Sequence, residues 1–259
     1  MKIGELEKLL LKKFPYATAE EWDTTGITSG DSDVEITKVA VALDPSLSAV
    51  QAAKNSGCNL LLTHHPAYIG QIEELADNNI IFSAPDYGVA LMNFHTALDV
   101  SEEGSCVLPN LLDLEIQETL LPTFKNLGFG KICKFSDGQD LNLDQLAKKC
   151  KNVFGRNPRV WGDLSSILKK IVTTTGSVGR LDDEVSVLQM SIDKHIDCII
   201  CGEIKYHDAI EMKELGISII DLGHDVSELP LCKVLIDSLQ SLGFDKDKIV
   251  EIDQNNYWI

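Results

Sequence analysis

Apolar and polar residues alternate along this chain in blocks whose spacing predicts strands and helices in turn. Residues 3–14 place apolar side chains at helical intervals and predict an opening helix. Short apolar runs further along predict strands, and the segments between them predict helices. The predicted strands are 39–43, 59–62, 88–94, 167–174, 196–201 and 217–222, and the predicted intervening helices are 47–55, 70–79, 182–194 and 205–215. This alternation is typical of the α/β fold class.

The alternation is interrupted over residues 114–146, where Pro122, Gly128 and Gly130 break the pattern. A chain of 259 residues is long enough to form two cores. We therefore expect a domain change in this stretch. The expected first α/β domain comprises residues 1–122 with 223–259, and the expected second α/β domain comprises residues 123–222.

Charge and composition exclude several classes of function. The net charge of −17 repels polyphosphate backbones and anionic bilayers, so neither general nucleic-acid binding nor membrane binding is expected. The seven cysteines are odd in number and scattered, which is typical of reduced thiols. The first residues lack the apolar core of a signal peptide, and no apolar run reaches the ~18 residues of a membrane span. These features predict a cytoplasmic protein.

Side chains that commonly bind metal ions follow three of the predicted strands. In open α/β sheets, ligands bind beyond the carboxyl ends of the strands. Histidine and carboxylate together are the ligands of Zn, Mn and Fe ions. The sequence therefore predicts one shared metal site, which the protein uses for its function. The three groups are His64 with His65 after 59–62, His95 with Asp99 after 88–94, and His224 with Glu228 after 217–222.

The spacing within these groups suggests how they bind. Adjacent side chains in an extended segment point to opposite sides, so His64 and His65 can each bind one of two neighbouring ions. His224 and Glu228 are four residues apart and share one face of a helix that starts after Gly223, provided that Pro230 does not distort it.

Three further residues have open roles at this point. Asp99 completes a set of five ligands, whereas His95 is a ligand, a partner of a ligand or a substrate contact, with the last two favoured. Asp44 is either a helix cap or a functional group.

The motifs together resemble the NIF3-like family, whose members are also called GTP cyclohydrolase 1 type 2 homologues. They occur in the order typical of the family and run from residue 22 to residue 228. Departures such as Thr24, Cys201 and Asp225 leave the five ligand positions unchanged. The matching motifs are Trp22-Asp23-x-x-Gly26, Thr63-His64-His65-Pro66, His95-Thr96-x-x-Asp99, Gly202-Glu203-x-Lys205-x-His207 and Gly223-His224-x-x-x-Glu228.

The resemblance implies two interlocked α/β domains with a dinuclear metal site between them, in a toroidal homohexamer. Each chain would hold two divalent ions of Zn, Fe or Mn. His65 and Asp99 would bind one ion, His64 and His224 would bind the other, and Glu228 would bridge them. The first domain would carry most of these ligands.

Such a centre favours a metal-dependent hydrolase that acts on a nucleotide or another phosphorylated small molecule. The resemblance suggests an activity like that of GTP cyclohydrolase type 2. We expect His95 or Glu203 to transfer protons. The alternative is a non-enzymatic metal-binding scaffold or regulatory protein that works through protein partners.

Overall fold

The fold is described from a computed structural model over residues 1–70, 79–136, 138, 140–183 and 185–254. The chain forms two compact units. The first comprises Met1–Leu98 and the described part of Leu231–Ile259, and the second comprises Asp99–Pro230. Within the described ranges, none of the helices combines the length and the apolar content needed to cross a bilayer.

Helices and strands alternate along the chain, as predicted for the α/β class. The helices are α1 (Ile3–Lys13), α2 (Leu47–Asn55), α3 (Ile80–Ser83), α4 (Thr96–Asp99), α5 (Glu102–Ser105), α6 (Val107–Leu111), α7 (Leu143–Phe154), α8 (Val187–Asp193), α9 (Tyr206–Glu214) and α10 (His224–Ser241). The strands are β1 (Gly26–Ser29), β2 (Val39–Ala42), β3 (Leu60–Thr63), β4 (Ala90–Asn93), β5 (Leu114–Phe124), β6 (Leu127–Phe135), β7 (Leu141–Asn142), β8 (Arg159–Trp161), β9 (Ile167–Leu168), β10 (Ile171–Thr173), β11 (Cys198–Cys201), β12 (Ser218–Asp221) and β13 (Ile249–Glu251).

The first unit contains a five-stranded sheet in the order β1-β4-β3-β2-β13. The strands β4, β3, β2 and β13 are parallel, and β1 pairs antiparallel with β4 at one edge. Every residue of β2, β3 and β4 is buried, as is typical of continuous apolar runs in parallel sheets. Neighbouring parallel strands end at the same edge of the sheet, so the segments after β3 and β4 begin side by side.

The second unit contains a six-stranded sheet in the order β5-β6-β10-β11-β12-β8. Its central strands β10, β11 and β12 are parallel. Successive residues of β11 alternate between two apolar clusters, since Cys198 and Ile200 pack in one and Ile199 and Cys201 in the other. Cys198 and Cys201 are therefore core thiols on opposite faces of the sheet.

The described residues within 114–146 form mostly regular structure where a domain change was expected. They build the long antiparallel hairpin β5–β6 and the start of α7, all within the second unit. The strand pattern was hidden because the pairing shifts register between Ile116 and Glu118 and again between Pro122 and Phe124.

The unit boundaries therefore lie at 98/99 and 230/231, where we had expected 122/123 and 222/223. As a result, Asp99, His224 and Glu228 belong to the second unit, while the first unit holds His64, His65 and His95.

Two predicted elements differ from those in the structure, and a third cannot be compared with it. The predicted strand 167–174 is split into β9 and β10, because the backbone N–H groups of Lys169 and Lys170 donate to Asp197. The predicted helix 182–194 begins only after Ser186, whose hydroxyl accepts from the Gln189 N–H. The predicted helix 70–79 lies outside the described residues except at its two ends.

Candidate metal centre

In the first unit, three histidines lie together just beyond the ends of β3 and β4. The strands are in register, with Thr63 opposite Asn93, and the ladder continues as Phe94 N donates to Thr63 O at 3.0 Å. His64, His65 and His95 follow directly. One ligand atom from each histidine lies within 4.8 Å of those of the other two. The prediction that strand ends bring these residue types together therefore holds within this unit.

The two adjacent histidines do not point to opposite sides, contrary to our expectation. The rings of His64 and His65 have their centroids 5.0 Å apart. The expectation required an extended backbone, but β3 ends at Thr63 and the chain bends at both histidines. Both imidazoles can therefore face the same space.

Each of the three imidazoles uses its Nδ1 atom in a hydrogen bond to an oxygen. His64 Nδ1 lies 3.1 Å from Phe94 O, His65 Nδ1 lies 2.7 Å from Asp44 Oδ1, and His95 Nδ1 lies 3.0 Å from Asp23 Oδ1. Carbonyl and carboxylate oxygens only accept hydrogen bonds, so each Nδ1 carries the proton. The lone pair of each neutral ring therefore lies on Nε2, as in histidines that bind metal ions.

Asp23 is itself held firmly. Its second oxygen accepts hydrogen bonds from the Thr96 N–H at 2.9 Å and from the Thr96 hydroxyl. Burial opposes ionisation of Asp23, but the hydrogen bonds from His95 and Thr96 outweigh it and lower the pKa of this carboxyl. The ionised carboxylate in turn fixes the orientation of His95.

Asp44 is not the cap of α2. Ser46 caps that helix, because its hydroxyl accepts from the Ala49 N–H at 3.2 Å. Asp44 instead binds His65, and its backbone N–H donates to Gln254 at 2.9 Å. The signal that identifies Asp44 in the sequence is its position just after a predicted strand, which is the same signal that identified the histidines.

In the second unit, His224 and Glu228 lie on the first turns of α10. The distance from His224 Nε2 to Glu228 Oε2 is 3.2 Å, which confirms the predicted placement on one helical face. Pro230 lies inside α10 and does not end it. The Nδ1 atom of His224 lies 2.9 Å from Glu203 Oε2, so both ring nitrogens of this imidazole face a carboxylate. Glu203 thus contacts a candidate ligand.

The loop at Gly176 is hydrogen-bonded to the first turns of α10. The Gly176 N–H donates to Ser227 Oγ at 2.9 Å, and Gly176 O accepts from the N–H groups of Gly202 and Glu203 at 2.9 Å each. A Cβ atom at Gly176 would lie 2.2 Å from Glu228 Oε1. The Gly176–Gly179 segment, which resembles a phosphate-binding loop only weakly, therefore gives the Glu228 carboxylate the space it needs.

Two further carboxylates of the second unit, Asp99 and Asp225, are each held by a polar side chain. Asp99, at the end of α4, accepts a hydrogen bond from the Thr175 hydroxyl at 3.0 Å. Asp225 lies next to His224, and Arg156 Nη1 contacts its two oxygens at 3.2 and 3.0 Å. Arg156 thereby offsets the extra negative charge that Asp225 introduces beside the candidate ligand.

The donor set fits a divalent metal ion. Imidazole and carboxylate ligands suit Zn, Mn and Fe, and groups of these residues can hold an ion. The imidazoles of His64, His65 and His95 present a lone pair on Nε2, and the space beside Gly176 leaves room for the Glu228 carboxylate.

Comparison with known proteins shows a family match over nearly the whole chain. The profile of the family described as Duf34/NIF3 (NGG1p interacting factor 3) matches residues 1–256. A Campylobacter jejuni protein named GTP cyclohydrolase 1 type 2 homolog is 28% identical over 249 residues, 93% of each chain. A Helicobacter pylori protein named GTP cyclohydrolase 1 type 2 is 25% identical over 247 residues, again 93% of each chain.

The fold is shared with solved structures. The crystal structure of a Bacillus cereus protein related to NIF3 matches with a TM-score of 0.86 and 18% identity, over 100% of this chain and 99% of that chain. At this identity the match establishes the fold alone. It confirms the NIF3-like architecture that the sequence motifs predict.

Proposed function

The chain belongs to the Duf34/NIF3 family, and from this premise we propose that it is a hydrolase with two divalent metal ions whose substrate is a nucleotide or another phosphorylated small molecule. The observation that carries the proposal is the shared hydrogen-bond pattern of His64, His65, His95 and His224. In each of them an oxygen contacts Nδ1 and fixes the ring, which leaves Nε2 as the atom that would bind a cation or exchange a proton.

Five residues are proposed to hold the two ions. His65 and Asp99 would bind one ion, His64 and His224 would bind the other, and the Glu228 carboxylate, which has two oxygens, would bridge them. Five protein ligands for two ions leave coordination positions for water and substrate, which favours catalysis over a purely structural role.

Two ions in such a site polarise a carbonyl, imine or phosphoryl oxygen and lower the pKa of water. The chain's own residues would position and exchange protons around them. Asp44 and Glu203 hold His65 and His224 in the tautomer with a proton on Nδ1. His95, oriented by Asp23, is proposed to accept a proton at Nε2. Glu203 is also a candidate for proton transfer, but its bond to His224 favours a positioning role.

We propose further that the chain assembles into a homohexamer and resides in the cytoplasm. The first proposal follows the family resemblance, and light scattering tests it by looking for a particle mass six times 28.5 kDa. The second is supported by the seven cysteines, all of which occur as thiols.

The decisive experiment measures metal content and hydrolysis together. Elemental analysis of protein purified without a chelating tag should give two metal ions per wild-type chain and fewer in Glu228→Ala. Metal-loaded wild type should then hydrolyse at least one member of a panel of nucleotides and phosphoesters, and His65→Ala should lose that turnover.

A metal-free wild type, or turnover undiminished in a metal-poor variant, would overturn the hydrolase proposal. Two bound ions without turnover on the panel would instead favour the metal-binding scaffold.

A further inference from the structure

We infer that His64, His65 and His95 form a three-histidine site that holds one divalent ion without any residue of the second unit. This inference rests on the proposed function in that it shares His64 and His65 with the dinuclear centre. It adds His95, which is not one of the five proposed ligands, as a donor to the metal ion.

The geometry of the three rings supports a common ion. Their centroids form a nearly regular triangle with sides of 5.0, 5.2 and 5.5 Å. One ligand atom from each lies within 4.8 Å of the other two. Nitrogens that share a tetrahedral ion at 2.0–2.1 Å lie about 3.4 Å apart. The distances between the ligand nitrogens therefore need to shorten by roughly 1.4 Å at most, and small side-chain rotations are enough for this.

The hydrogen bonds argue against simple aromatic packing. Packed rings do not require any particular tautomer. Here three acceptors from different parts of the chain, Asp23 before β1, Asp44 after β2 and the Phe94 carbonyl after β4, each hold one Nδ1 proton. All three rings are thereby prepared to donate an Nε2 lone pair.

Charge and access also suit a cation. The two carboxylates that hold His65 and His95 balance the charge of one divalent ion bound to three neutral imidazoles. His64 is fully buried, whereas the side chains of His65 and His95 are 20% and 14% exposed. His64 is therefore enclosed by the protein, whereas His65 and His95 reach solvent, and an ion can enter from their side.

This site gives His95 a second role. The three histidines would take up an ion first, before the ligands of the second unit bind it. In a chain that also uses Asp99, His224 and Glu228 as ligands, His95 would instead be the proton acceptor proposed above.

The test removes His224 and Glu228 and counts the ions that stay, and substitution of His95 then shows whether the remaining ion is held with His95 or with Asp99. Zn²⁺ binding is measured by equilibrium dialysis on wild type and on His224→Ala/Glu228→Ala. We expect two ions in wild type and one in the double variant. Adding His95→Ala to the double variant should remove the remaining ion, and His95→Gln, which keeps a polar side chain, should remove it as well.

Matched controls separate ligand loss from unfolding. His207→Ala in the same double-variant background removes a histidine that is 71% exposed and should leave the one ion in place. Asp23→Ala in that background should weaken Zn²⁺ binding about ten- to hundredfold, because it releases the orientation of His95. Circular dichroism checks that each variant stays folded.

The outcomes distinguish the two proposals. Two ions in wild type and none in the double variant would overturn the three-histidine site and leave the dinuclear centre standing. One ion retained after His95→Gln would overturn the three-histidine site, because His65 and Asp99 would then account for that ion. One ion in wild type that persists in the double variant would support the three-histidine site and overturn the dinuclear centre, and no ion in wild type would overturn both.

Discussion

At the residue scale, the candidate ligands depend on the oxygens that hold them. An imidazole binds a metal ion well when its other nitrogen donates to an acceptor that fixes both tautomer and ring direction. His65 has Asp44 in this role and His224 has Glu203, and the two distances are 2.7 and 2.9 Å. The sequence motifs identify the histidines, but Asp44 is separated from His65 by 20 residues and only the folded sheet brings the two together.

Replacing Asp44 should therefore weaken metal binding without unfolding the protein. We expect Asp44→Ala to raise the Kd for Zn²⁺ about ten- to hundredfold, because His65 loses the acceptor of its Nδ1 proton. Asp44→Asn should lose much less Zn²⁺ affinity, since its amide oxygen still accepts a hydrogen bond from His65 Nδ1. Competition with a chromogenic chelator measures both affinities.

Ser46→Ala provides the control for this change. It removes the cap of α2 two residues away and should cost about 1 kcal/mol of stability with unchanged Zn²⁺ affinity. Equal affinities for wild type and Asp44→Ala would show that Asp44 does not support the ligand.

At the scale of secondary-structure elements, the position of α10 determines where Glu228 lies. The hydroxyl of Ser227, a fully buried residue on this helix, accepts from Gly176 N–H and donates to the carbonyl of His224. The loop at Gly176 approaches the helix so closely that no side chain fits between them. This contact explains why a loop that carries no ligand is needed for the site.

Gly176→Ala should therefore disturb the carboxylate. Its Cβ atom would come within 2.2 Å of Glu228 Oε1, so the carboxylate has to move and metal binding should fall by at least tenfold. Isothermal titration with Zn²⁺ measures the loss.

Gly216→Ala is the matched control. Gly216 has a similarly left-handed backbone, with φ of +83° against +57° at Gly176, but nothing lies within 4 Å of its would-be Cβ. Both substitutions carry about 1–2 kcal/mol of backbone strain, and only the first should lose metal. The same loss in both variants would mean that strain, rather than the clash with Glu228, is responsible.

At the scale of the whole molecule, the candidate ligands are divided equally between the two compact units. The first unit supplies three histidines, and the second supplies Asp99, His224 and Glu228. Each unit has its own sheet and its own apolar clusters. An ion that binds the folded chain and not the unfolded one stabilises it by mass action.

Metal should accordingly raise the melting temperature. At a free Zn²⁺ concentration of 100 times Kd, one site contributes about 2.7 kcal/mol, which corresponds to a rise in Tm of about 5–10 °C for a chain of this size. Calorimetry of protein stripped with a chelator and then reloaded measures the shift. A reduced rise is expected for Glu228→Ala, and an identical Tm with and without Zn²⁺ in wild type would contradict metal binding by the folded state.

The sequence by itself determined the fold class, most strands and the residue types of the site. This was possible because apolar runs and helical spacing are local, and because polar groups at strand ends are visible in the chain. The His224–Glu228 pair was predictable for the same reason, since four residues on a helix set its geometry.

Only the tertiary structure decided the rest. It placed Asp23 and Asp44 against His95 and His65, turned both adjacent histidines toward one space, and paired Leu114–Phe124 with Leu127–Phe135 in a bulged hairpin inside the second unit. These features depend on contacts between distant segments and on where an extended strand ends. The local pattern of apolar and polar residues carries no signal for either.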